Sequence, residues 1–110
     1  MTADGTRYPF ARFAIAAAPD EAGIYVLWEG KELVYVGAAI GGEITIRSRL
    51  AEHLEGVRSC GQCRPSHYSW ELARNALVRE NELLRQYRAA YSTLPRCNSA
   101  SVKPAASGFR

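Results

Sequence analysis

The most informative side chain in this 110-residue sequence is Glu80, because it stands where packing would place an apolar group. From Ala76 to about Tyr91 the apolar residues Ala76, Leu77, Leu83, Leu84, Tyr87 and Tyr91 recur with helical period. They span an arc of about 120°, and Glu80 falls near its middle. An isolated carboxylate in that position is strongly disfavoured, so it must be ion-paired, hydrogen-bonded or metal-bound. A structural pair with a neighbouring Arg and a metal ligand both satisfy that condition. Glu82 lies on the exposed face. A second constellation is Arg49 and His53, four residues apart on one helical face. Guanidinium suits a phosphate oxygen bidentately and imidazole can carry a proton, although the same spacing also occurs on solvated helix flanks. Tyr25 and Tyr35 lie on extended segments, where tyrosine commonly serves packing alone. A third group is Cys60-Gly-Gln-Cys63 with His67 and Cys97, a modest zinc signal that lacks a second paired-cysteine motif. Three cysteines, an odd count, fit free thiols in a reducing cytosol better than a disulfide scaffold.

These groups need elements to hold them. Gly23–Trp28 and Leu33–Gly37 are β-branched and aromatic runs joined by Glu29-Gly30-Lys31, which predicts an antiparallel hairpin. Ala38–Glu43 carries Gly41-Gly42 and reads as a loop. Ile46, Leu50, Leu54 and Val57 mark the buried stripe of a helix from about Thr45 to Gly56. Arg58–Ser66 reads as a loop, His67–Ala73 as a third strand, and Ala76–Tyr91 as the second helix. The order β-β-α-β-α predicts an α+β domain, a small three-stranded antiparallel sheet flanked by helices. The predicted organisation is a lead segment over 1–21, the domain over 22–98, and a flexible tail over 99–110.

Composition is that of an ordinary globular domain, with 47% apolar and 23% charged residues. The net charge of +3 permits an acidic partner without requiring one. All fourteen cations but Lys31 and Lys103 are Arg, which tilts toward phosphate. No apolar run is long enough to span a membrane, and Arg12 interrupts the short Ala-rich stretch that could otherwise be read as a leader, so a cytoplasmic protein with no membrane partner is expected.

Gly23-Ile24-Tyr25 followed by Val34-Tyr35-Val36-Gly37 resembles the paired signature of GIY-YIG nucleases. Arg49-Leu-Ala-Glu-His53 resembles the Arg-bearing first helix of that family, Arg79-Glu80-Asn81-Glu82-Leu83-Leu84 its metal-binding Glu motif, and Pro95-Arg-Cys-Asn98 its closing Pro-x-x-Asn segment. The similarity covers roughly residues 22 to 98. Two gaps, between Tyr35 and Arg49 and between Glu80 and Asn98, are longer than usual, and Arg47 competes with Arg49 for the aligned position.

The resemblance implies a divalent-metal-dependent endonuclease hydrolysing phosphodiester bonds in DNA, more than RNA. Glu80 would hold a single Mg2+, with Mn2+ able to substitute. Tyr25 would act as general base, which requires nearby positive charge to favour the phenolate. Arg49 would stabilise the phosphate, Tyr35 and His53 would help transfer the proton, and Asn98 would order the site. Gly37 would let backbone approach the substrate, and Arg47, Arg58 and Arg79, with Arg64 and Arg74, are candidate nucleic-acid contacts. The alternative is a non-catalytic nucleic-acid- or protein-binding module that keeps the fold.

Overall fold

A computed structural model describes residues 5–56 and 63–98. The elements are β1 (Tyr8–Pro9), α1 (Arg12–Ile15), β2 (Gly23–Glu29), β3 (Glu32–Ala39), α2 (Ile46–Leu54), β4 (His67–Leu72) and α3 (Ala76–Tyr91). The fold is α+β, with an antiparallel sheet in the order β1-β4-β2-β3. All three strands expected from the sequence are present, and β1 adds a fourth by pairing Tyr8 with Tyr68. Residues ahead of position 22 therefore contribute to the sheet and to the core. Ala14, Ile15 and Ala18 join the main core, and the Tyr68 hydroxyl donates to the Ala14 carbonyl at 2.7 Å. The tail over 99–110 and the loop residues 57–62 lie outside the described residues.

The central strand β2 is buried on both faces, so its sequence is continuously apolar rather than alternating. Period-two geometry sends Tyr25 and Leu27 to one face, where α1 and α2 bring Ile15, Ile46 and Leu50. Ile24, Val26 and Trp28 go to the other, where Leu83 of α3 packs. Helices thus cover both faces of the sheet. Gly30, at φ 62°, takes the left-handed turn between β2 and β3. A register shift beside Leu27 then puts Tyr35 opposite Leu27 and Gly37 opposite Tyr25.

Helix α2 starts at a capping box. Thr45 accepts from the Ser48 N–H, and the Ser48 hydroxyl accepts from the Thr45 N–H. Helix α3 starts at Asn75, whose side chain accepts from the Val78 N–H, and stops at Ser92 with φ 66°. Its buried face differs from the expected arc in two places. Leu77 and Tyr91 are exposed, at 55% and 65%, which leaves Ala76, Leu83, Leu84 and Tyr87 as the packed side. Glu80 stays on that side, one turn from Ala76 and from Leu84.

β3 is one of the two edge strands, and a free edge exposes unpaired backbone groups. Asn98 covers this one: its carbonyl accepts from the Val36 N–H at 2.8 Å and its amide donates to the Val36 carbonyl at 2.9 Å. Arg96, from the same segment, donates to Glu29 and Glu32 on the hairpin.

Candidate active site

The α2 face of the sheet presents a cluster of three rings. Tyr25 and Tyr35 have centroids 6.1 Å apart, and His53 lies 5.4 Å from the first and 5.2 Å from the second. The Tyr25 hydroxyl and His53 Nε2 share a hydrogen bond of 2.9 Å. Among the described residues, His53 Nδ1 is buried without a partner. The helix turn that brings His53 onto Tyr25 also brings Arg49, whose guanidinium donates to Glu52 at 2.9 Å.

Gly37 lies directly against the central phenol. A Cβ there would overlap the Tyr25 ring, so the glycine makes room for the phenol. Because Gly37 faces Tyr25 across the ladder, the two halves of the Gly-Ile-Tyr/Val-Tyr-Val-Gly signature are physically one feature.

Electrostatics follow from burial. Desolvation raises the Tyr25 pKa well above its ordinary value, and Tyr35 and Glu80 add to that while Arg49 opposes it. Positive charge near Tyr25 therefore does not prevail over burial, and the phenol keeps its proton in the free protein. Burial, then Arg49, lowers the His53 pKa to about 4, so the imidazole is neutral at pH 7. Glu80 is half-buried, and desolvation raises its pKa. Among the described residues Glu80 forms no hydrogen bond or ion pair, which removes the structural pair with an Arg as its explanation. Its influence on Tyr25 places it within electrostatic reach of the phenol, although it comes from the helix on the other face.

The two candidate arginines separate. Arg47 is turned away, donating to the Ala18 carbonyl at 2.9 Å and facing Asp20 at 4.0 Å. Arg49 is the one beside the rings. Arg79 is held by Glu71 at 2.6 Å and Glu82 at 2.9 Å, so the geometry does not present it as a spare phosphate contact. Asn98 spends both polar atoms of its amide on Val36, which makes it a brace on the strand carrying Tyr35 and Gly37.

Arg58 and Cys60 lie outside the described residues. Cys63 and Cys97 are joined as a disulfide, with Cα atoms 6.3 Å apart, in place of the free thiols expected. His67 Nδ1 is engaged with the Ser66 hydroxyl at 2.9 Å. No group of three or more His, Cys, Asp or Glu among the described residues could hold a metal. No helix among them is long and apolar enough to cross a membrane.

Sequence reasoning overlooked the Tyr25–His53 bond, although the helical stripe itself contained the signal. Ile46, Leu50 and His53 continue at i, i+4 and i+7, which turns His53 inward.

No family model matches the chain, and no solved structure matches it. The chain is 33% identical over 88 residues to the UvrABC system protein C of Hydrogenobaculum sp. (strain Y04AAS1), an alignment covering 73% of this chain and 15% of that protein. It therefore spans only a small part of the length of the curated relative it matches.

Proposed function

We propose that this chain is a divalent-metal-dependent endonuclease of the GIY-YIG type that hydrolyses phosphodiester bonds in DNA in the cytoplasm. The observation that carries this reading is the convergence of two phenols, an imidazole and a guanidinium in one cluster, with Glu80 electrostatically coupled to the central phenol. The motif order and the similarity to a UvrABC system protein C point the same way.

Glu80 fits a metal ligand because it is a desolvated carboxylate with no described partner. A single protein carboxylate, with waters and substrate oxygens completing the shell, suits Mg2+ better than a multi-ligand cage would. When bound, the ion supplies charge stabilisation to the phosphate and the leaving 3′ oxygen. Arg49 adds a guanidinium for the same developing charge. Tyr25 begins protonated, so it cannot serve as a free phenolate. It takes a proton from the attacking water as its own passes to His53 Nε2, 2.9 Å away. Tyr25 stays neutral throughout this relay, which removes the need for a low phenol pKa. A phosphate anion on Arg49 offsets the charge that holds the His53 pKa down, so proton acceptance becomes easier once substrate is bound. Tyr35, in ring contact with both partners, fixes their orientation.

The high Tyr25 pKa alone would suit a non-catalytic binding module equally well. Cleavage assays separate the two readings. Supercoiled plasmid should be nicked with Mg2+ or Mn2+, left intact in EDTA, and left intact by Glu80→Gln. Nicking by Glu80→Gln at the wild-type rate would remove the metal role, and absence of nicking by the wild-type chain in either metal would favour the binding module.

A further inference from the structure

Away from the ring cluster, a half-open groove of about 540 Å³ lies between the hairpin turn and the C-terminal half of α3. Arg7, Trp28, Lys31, Glu32, Tyr87 and Tyr91 line it. Its volume falls in the range of ligand-sized clefts.

Two flat surfaces occupy this groove. Tyr87 and Tyr91 pack with centroids 4.5 Å apart, and Tyr91 is 65% exposed. The Arg7 guanidinium lies 3.6 Å over the Trp28 ring, which is itself fixed by an indole N–H bond of 2.9 Å to Ser69. Guanidinium planes and exposed tyrosine rings are both platforms on which bases stack. The charge is complementary to a phosphate backbone. Glu32 is paired with Arg96, whereas Arg7 and Lys31 form no ion pair among the described residues. Nothing in the mechanism uses these side chains. Their placement ties them to the site nonetheless: Tyr87 lies two turns beyond Glu80 on the same face of α3, roughly 10 Å along the axis. Trp28 and Tyr25 share β2 but face opposite sides of the sheet, so it is α3, carrying both Glu80 and Tyr87, that connects the groove to the site.

We infer that this groove holds unpaired nucleotides of a single-stranded DNA segment flanking the scissile phosphate, stacking bases on Tyr91 and on the Arg7–Trp28 pair while Lys31 contacts phosphate. The inference rests on the nuclease reading for its biological meaning, but binding can be measured without cutting. The chain thereby favours a junction between paired and unpaired DNA over continuous duplex.

The test is fluorescence anisotropy of labelled oligothymidylate and of a labelled duplex, with the intact chain in EDTA. Tyr91→Ala and Lys31→Ala alter exposed side chains outside the catalytic cluster, and Arg12→Ala is a control on an exposed cation outside the groove that already faces Glu55. Tyr91→Ala is expected to weaken oligothymidylate binding about tenfold, the loss of one stacked base. Lys31→Ala is expected to lower the salt slope by about 0.7, one phosphate contact on a single strand. Duplex binding should stay within twofold, and Arg12→Ala should change neither probe. Unchanged oligothymidylate binding by Tyr91→Ala, or equal losses on duplex and single strand, overturns the proposal. Cutting lost in Glu80→Gln with Tyr91→Ala neutral would sink the groove and keep the nuclease. Binding as expected in a chain that never cuts would do the reverse.

Discussion

Glu80 is held where its charge is unfavourable. Desolvation raises its folded pKa, so above the ordinary carboxylate range the ionised side chain lowers stability. Glu80→Gln should therefore melt a few degrees higher than wild type in EDTA, while losing at least ~10²-fold in cleavage rate with Mg2+. Added Mg2+ should raise the melting temperature of wild type and not of the variant, a linkage that scanning calorimetry reads directly. His53 gives a pH signature. Its folded pKa of about 4 lies below the 6.5 of the free side chain, so the unfolded chain takes up the proton first. Stability should fall as pH drops from about 6.5 and that loss should level off below about 4. Urea midpoints measured across the window should lose this slope in His53→Gln. The position of Glu80 on the packed side of α3 was legible in the sequence, because the helical period sets a carboxylate inside an apolar arc. The protonation state of Tyr25 was not, since it depends on burial that only the packed molecule defines.

At the scale of elements, the site depends on how β2, β3 and the closing segment meet. Gly37→Ala should displace the Tyr25 ring, destabilise by about 1–3 kcal/mol and reduce cutting along with it, as equilibrium unfolding and nicking assays would show. Asn98→Ala should leave the Val36 backbone groups to water and cost about 1–3 kcal/mol, with more loss in stability than in chemistry. The hairpin, α2, β4 and α3 were each legible from period and turn residues, because their amphipathic patterns run long enough to be unambiguous. A two-residue strand and a four-residue helix leave no pattern of that length, so β1 and α1 were read as a lead segment. The partnership of Gly37 with Tyr25 needed the register shift beside Leu27, which no local signal announces. The Cys63–Cys97 bridge joins residues 34 apart, and an odd cysteine count argued against it.

For the whole molecule, net charge overstates the cations left for the proposed DNA partner. Of the fourteen cations, Arg12, Arg47, Arg49, Arg79 and Arg96 already face carboxylates. Affinity for duplex should therefore fall only moderately with salt, with a slope on the order of −3 to −4, equivalent to three or four phosphate contacts. A steeper dependence would mean that the ion pairs open on binding. On the proposed reading, chemistry sits at the ring cluster and strand recognition at the hairpin end, with α3 running between them. The account stands or falls on Tyr25 lying at the centre of the reaction. Single-turnover nicking by Tyr25→Phe with saturating Mg2+ isolates that role, because phenylalanine keeps the ring over Gly37 and removes only the hydroxyl bonded to His53. The expected result is a chain that folds and binds DNA as wild type does but cuts at least ~10²-fold more slowly, the upper part of the effect of a positioned proton carrier being ~10⁴-fold. Cutting by Tyr25→Phe at the wild-type rate would contradict the account.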